Sequence, residues 1–141
     1  MGLTGGCLCG KIRYTVEGDS MHALKCHCRD CQRISGSGYL PILWFRANQV
    51  KLNKGELRFY SRTSDRGSTV QHGFCGVCST PVLLEPSFDG MDIVFLVAGT
   101  LDDPSIFSPK ADLWVDSAQH WDCLDESIDQ VPTQRTGRMA E

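Results

Sequence analysis

The chain has 141 residues, 41% of them hydrophobic and 22% charged, which is the composition of one ordinary soluble domain with enough apolar side chains for a core. Its net charge of −3 comes with Lys and Arg scattered along the chain, so the basic stripe of a nucleic-acid binder is missing. Apolar runs such as 39–45 and 93–98 fall far short of the roughly 18 residues that cross a bilayer, and residues 1–6 lack the features of a signal peptide or a myristoylation site, so a cytoplasmic protein with no membrane or nucleic-acid partner is expected.

The chain carries eight cysteines. In a reducing cytosol these are more often metal ligands or reactive thiols than disulfide partners. Their spacing favours ligands: Cys7-Leu8-Cys9, Cys26-His27-Cys28, Cys28-Arg29-Asp30-Cys31 and Cys75-Gly76-Val77-Cys78 are tight pairs, and only Cys123 stands alone. Cys123 is expected to be a small, semi-buried hydrophobe near Trp121.

In chain order, glycines flank the first pair in Gly5-Gly6-Cys7-Leu8-Cys9-Gly10, so the backbone there can curl around an ion. Residues 11–17 alternate polar and apolar and close at Gly18-Asp19, which predicts a strand with Ile12, Tyr14 and Val16 facing the core. Gln32-Arg33-Ile34 predicts a single helical turn that Ser35-Gly36-Ser37-Gly38 breaks. Residues 39–45 are apolar around Pro41, hence a strand near an edge or with a bulge. Further strands are predicted over 57–61, 81–85 and 92–98, with a loop over 86–90, and residues 69–74 run into the second cysteine pair. Asp102-Asp103-Pro104 reads as a turn or helix start, and Trp114 and Trp121 as core or pocket-wall aromatics. Sustained helical periodicity is absent from the middle of the chain. The expected class is therefore all-β with short helical turns, as a single domain over 1–129 followed by a peripheral tail over 130–141.

The triplet Cys26, Cys28 and Cys31 calls for a chemical explanation. In an extended segment, residues two apart share a side, so Cys26 and Cys28 face one point while His27 faces away, and a turn lets Cys31 close on that point. Zinc is the expected ion, because it takes thiolates at about 2.3 Å in tetrahedral geometry. Cys7 and Cys9 with Cys75 and Cys78 make a closed four-thiolate set from two distant knuckles, a structural arrangement that adds folding free energy. The triplet is left to bind zinc with an open position, to recruit Cys123 or one of His22, His72 and His120, or to stay metal-free. An incomplete ligand set implies partial occupancy of this second zinc site.

Four motifs then carry a resemblance: Gly6-Cys7-Leu8-Cys9-Gly10, Cys26-His27-Cys28-Arg29-Asp30-Cys31-Gln32-Arg33, Phe74-Cys75-Gly76-Val77-Cys78-Ser79 and Gly99-Thr100-Leu101-Asp102-Asp103-Pro104. In this order they resemble the glutathione-dependent formaldehyde-activating enzyme family, whose domain is shared with centromere protein V. The resemblance implies an Mss4-like fold of zinc-stapled β-sheets, a structural zinc on Cys7, Cys9, Cys75 and Cys78, and a catalytic zinc on Cys26, Cys28 and Cys31. It departs from the family pattern at Ser79, His72 and Asp112, and at the residue before Trp121, without removing a cysteine.

The chemistry so implied is addition of a glutathione-like thiol to formaldehyde or another small aldehyde, a carbon–sulfur lyase reaction in reverse. Zinc would hold the thiol as thiolate, and Arg29, Arg33 and His27 are the local candidates for protonating the alkoxide that forms. The alternative from a different class is a zinc-stabilised, Mss4-like interaction module without catalysis, in which both cysteine groups only staple a sheet. A triplet completed by Cys123 favours the module, and a triplet left open favours the enzyme.

Overall fold

Short apolar segments build two sheets in the computed structural model, which describes residues 2–64, 67–87 and 90–133. The smaller sheet is antiparallel, with β1 (Leu3–Gly6), β2 (Arg13–Val16) and β5 (Val50–Lys54) in the order β1-β2-β5. The larger sheet contains β3 (His22–Cys26), β4 (Leu40–Arg46), β6 (Leu57–Thr63), β7 (Thr69–Cys75), β8 (Pro81–Pro86), β9 (Ile93–Val97), β10 (Ala111–Leu113) and β11 (Asp129–Val131). Among the described residues its order is β11-β10-β3-β4-β9-β8-β7-β6, with β10 parallel to both of its neighbours. The one α-helix among them, α1 (Arg29–Ser35), ends at Gly36, whose φ of 67° is the left-handed cap that glycine takes without a steric cost. No helix among the described residues is long and apolar enough to cross a membrane.

The all-β class with short helical turns is what the structure shows. Ile12, Tyr14 and Val16 are buried as their alternation predicts, and they meet Leu43, Phe45, Val82 and Leu96 in the core between the sheets. The opposite face of the large sheet carries a second core cluster around Leu24, Leu40, Ile42, Trp44 and Leu84.

Three expectations are corrected. The strand over 39–45 is interior, because β4 pairs with both β3 and β9. Pro41 is tolerated there since pairing with β9 starts only at Ile42↔Val97, so that ladder does not require its missing N–H. The helix is longer than one turn and begins at Arg29, with the Cys28 sulfur accepting a hydrogen bond from the Cys31 N–H at 3.3 Å. The tail expected from residue 130 starts inside β11, where Gln130 and Val131 lie opposite Asp112 and Leu113. Residues 134–141 of that tail, and residues 88 and 89 of the expected loop, lie outside the described residues.

One polar cluster joins the small sheet to the segment after β9. Asp102 accepts from Arg13 Nη1 at 3.0 Å, Arg13 Nη2 at 2.5 Å and Thr4 Oγ1 at 2.6 Å, while its own N–H donates to Thr4 O at 2.9 Å. Asp103 caps a short 3₁₀ turn, Pro104–Ile106, which supports the helix-start reading of this dipeptide. Gly5 lies between these partners: a Cβ there would sit 2.3 Å from the Tyr14 hydroxyl oxygen and 2.5 Å from Thr100 O. Hydrogen bonds from Arg13 and then Thr4 hold the Asp102 carboxyl down to about 2, from an ordinary value of 3.8. A depressed carboxyl contributes stability that is complete above the unfolded value and disappears as pH falls through the folded one. The stability difference between the natural protein and Asp102→Asn should therefore be constant at neutral pH and shrink between about pH 4 and pH 2, as read from denaturant unfolding across that range. A difference that does not change with pH would contradict this assignment.

Candidate metal centres

Cys7 and Cys9 lie in the turn after β1, Cys75 ends β7, and Cys78 lies in the turn that follows. Their sulfurs all fall within 4.8 Å of one another, with Cys7–Cys9 at 3.6 Å and Cys9–Cys75 at 3.8 Å. Four thiolates at about 2.3 Å from one ion define a tetrahedron with an edge of about 3.8 Å, so the group fits a four-coordinate metal. Backbone N–H groups point at the sulfurs: Ile12 to Cys7 at 3.2 Å, and Val77 and Cys78 to Cys75 at 3.4 and 3.5 Å. Such donors favour thiolate over thiol. The Thr80 hydroxyl and backbone draw Cys78 down to about 5.

Cys26 ends β3, Cys28 caps α1, and Cys31 lies in its first turn, so strand, turn and helix bring the three sulfurs within 4.8 Å. Hydrogen bonds from Cys26 and Cys31 pull Cys28 down to about 2, and the Cys28 thiolate in turn pushes Cys26 up to about 12. Cys31 rises for the same reason, chiefly through Cys26 and Cys28. A metal ion among the three sulfurs would favour the ionised form of each. No histidine belongs to either sulfur group, and Cys123 is exposed and outside the triplet. Its expected semi-buried position near Trp121 is corrected, since Trp121 is itself 62% exposed.

His27, itself fully buried, does face away from the sulfurs and into a polar brace. Its Nδ1 lies 2.7 Å from Asp122 Oδ2 and its Nε2 lies 2.8 Å from Asp112 Oδ1. Lys25 Nζ reaches the same Asp112 oxygen at 3.3 Å, and Gln130 donates to Asp112 Oδ2 at 2.8 Å. Burial pushes the Asp112 carboxyl up, but His27, Gln130 and Lys25 together leave it below its ordinary value. Gln32 completes the brace by donating to the carbonyls of His27 and Ser117 at 2.7 and 2.9 Å. With both ring nitrogens committed to carboxylates, His27 is a support for the triplet and not a proton donor beside it. Arg29 bonds to Gln32, and neither it nor Arg33 lines the cavity above the sulfurs.

That cavity offers about 90 Å³ beside Cys26, Cys28 and Cys31. Its floor is the large sheet, where one cross-strand row runs His22↔Trp44↔Phe95↔Leu84↔His72↔Tyr60. Trp44 stacks on Phe95 with ring centroids 4.7 Å apart. Trp114 forms a side wall and holds φ at 60°, a left-handed conformation that is costly for a bulky residue. Arg62 forms the polar edge: its Nη1 donates to Asp30 at 3.1 Å and its Nε to His72 Nε2 at 2.7 Å. Burial and the Arg62 charge lower the His72 pKa, consistent with a neutral ring that accepts this bond. Sequence reasoning missed Arg62 because it lies 31 positions after Cys31, and only the β6–β7 register aims it at the site.

The chain matches the family model described as glutathione-dependent formaldehyde-activating enzyme over residues 2–117, a span that holds all seven clustered cysteines. The chain belongs to the glutathione-dependent formaldehyde-activating enzyme family. A crystal structure of a Rhodobacter sphaeroides protein is similar in fold, with a TM-score of 0.56 and 20% identity over 70% of this chain and 87% of that one. No curated protein matches the chain in sequence. The matched span contains both sulfur groups, each of which could hold a metal ion, whereas Asp122 and Gln130 of the His27 brace lie beyond it.

The closed and open groups should differ in what they give to stability. Cys78→Ser is expected to lose one metal ion per chain and to lower Tm by more than about 10 °C, because a site joining distant strands adds folding free energy. Cys28→Ser should lose the other ion and lower Tm by no more than about 5 °C, since its ligands are local in sequence. Metal analysis with thermal melts checks both, and equal destabilisation by the two substitutions would contradict the division.

Proposed function

We propose that this chain is a zinc-dependent enzyme of the carbon–sulfur lyase type, which joins glutathione or a related thiol to formaldehyde or another small aldehyde. Cys26, Cys28 and Cys31 would hold the catalytic zinc, and Cys7, Cys9, Cys75 and Cys78 a structural one. The observation that carries this reading is an asymmetry: four sulfurs form a complete set, while three converge beside an open cavity and have no fourth protein ligand among the described residues. An interaction module would need no cavity there, and Cys123 does not complete the triplet. Eight unpaired thiols suit a reducing, cytoplasmic setting.

Zinc on the triplet supplies a cation that stabilises a thiolate sulfur at neutral pH. The chain's own residues supply position and charge. The cavity is too small for a whole tripeptide, so it receives only the reacting end of the thiol and the aldehyde. In the reaction the substrate sulfur forms a bond to the aldehyde carbon and the C=O π pair moves to oxygen. The proton released from the thiol is balanced by protonation of that oxygen, which yields a hemithioacetal. Arg62 is the group placed to stabilise the developing oxyanion, because Asp30 and His72 fix its guanidinium plane and Nη2 has no protein partner among the described residues.

Thiols and aldehydes combine without an enzyme, so the test must measure acceleration over that background. Exchange-spectroscopy NMR of glutathione with formaldehyde should show acceleration that Cys28→Ala abolishes. Arg62→Ala should reduce it by about 100-fold with the zinc content unchanged, the scale on which loss of one oxyanion donor is felt. Acceleration that survives Cys28→Ala would refute the reading.

A further inference from the structure

The cavity beside the triplet has more apolar wall than formaldehyde can use. Formaldehyde has no substituent on its carbonyl carbon, whereas Ile42, Trp44, Leu84, Phe95 and Trp114 all face the space beside the sulfurs. Apart from the sulfurs, Asp30 and Arg62 are the charged groups of its lining and are paired with each other, so the wall away from the sulfurs takes a neutral group. Size sets the other limit. A cavity of about 90 Å³ is smaller than the roughly 150 Å³ that holds benzene, and about three times the share of one liquid water. Trp114 adds an independent observation. Its left-handed backbone sits directly after β10 and turns the indole onto the core cluster that contains Cys26 and Cys31. Strain of this kind persists where the surrounding structure fixes a residue in place, and it clusters at ligand-binding sites.

We infer that the pocket formed by Trp44, Phe95 and Trp114 binds the alkyl substituent of an aliphatic aldehyde of two or three carbons, with Trp114 as a specificity-determining residue. The inference rests on the proposed thiol–aldehyde reaction and names its aldehyde. The carbonyl carbon faces the substrate sulfur, the oxygen points to Arg62, and the alkyl chain lies against the indole and phenyl rings. Bond making is as described for formaldehyde: one C–S bond forms, the C=O π bond opens, and the oxygen takes a proton. Each buried methylene favours the larger aldehyde by about fourfold, so propanal should exceed formaldehyde by about 15-fold.

The test is exchange-spectroscopy NMR with formaldehyde, acetaldehyde, propanal and hexanal, each corrected for its uncatalysed rate, on the zinc-loaded protein. Cys28→Ala and Trp114→Gly are compared with it, since glycine accepts the left-handed backbone, and a thermal melt of each variant checks that it is folded at the assay temperature. Acceleration should peak at propanal, fall at hexanal, and lose about tenfold of the propanal-to-formaldehyde ratio in Trp114→Gly. Phe95→Leu, which retains an apolar side chain, should lower the same ratio less. Saturation-transfer NMR with propionamide, a carbonyl analogue that does not add thiols, gives a second readout: its methyl signal should respond in the natural protein and not in Trp114→Gly. Acceleration that survives Cys28→Ala for every aldehyde refutes the proposed reaction and this inference with it. Acceleration that depends on Cys28 but is greatest for formaldehyde, or a ratio unmoved by Trp114→Gly, overturns the inference alone, as does the absence of propionamide binding.

Discussion

Both faces of β4 are buried, with Leu40, Ile42 and Trp44 on one side and Leu43 and Phe45 on the other, and the large sheet therefore needs a cover on each side. The small sheet covers one side through Tyr14 and Val16. The other cover is assembled from the Cys26–Cys31 turn, α1 and Trp114, so the candidate site is part of the second core cluster itself. Cys26 and Cys31 are as buried as their aliphatic neighbours. This explains why an apolar cavity and a set of thiols occur together: the same surface that must exclude water to complete the fold is the one that meets a ligand.

The two halves of the site are held by different physics. In front, three sulfurs compete for protons and would be relieved by a cation. Behind, His27 is clamped between Asp112 and Asp122, and Gln32 ties the His27 carbonyl to the Ser117 carbonyl. The polar brace fixes the backbone from which Cys26 and Cys28 project, and every buried polar side-chain atom of the described residues has a partner. A satisfied buried network of this kind favours one arrangement over its alternatives, because partial pairing in a low dielectric is costly.

Much of this was legible in the sequence where the signal is local. The alternation through Ile12, Tyr14 and Val16 has period two, and the cysteine pairs have spacings that only a turn around an ion or a strand-to-helix corner explains. The division of seven cysteines into four and three could be made because two knuckles far apart complete one tetrahedron. What depends on register was not legible. Arg62 could not be assigned to the triplet without knowing that β6 pairs with β7 and that both lie in the same sheet as β3. Strands β1, β5, β10 and β11 are short or polar, so they become strands through pairing more than through composition. Pro41 pointed to an edge, yet it lies beyond the end of the β9 ladder on a central strand.

Asp122 gives the brace a meaning for where this domain ends. The span shared with the family stops at residue 117, yet a carboxylate five positions later holds one nitrogen of a histidine that has no access to water. Gln130, further on, secures the opposing carboxylate. A chain cut where the likeness stops would expose the back of the cysteine turn and leave His27 with half its support. The matched span and the unit of folding are therefore different lengths of the same polypeptide, and an expression boundary drawn from the first would remove part of what the second requires.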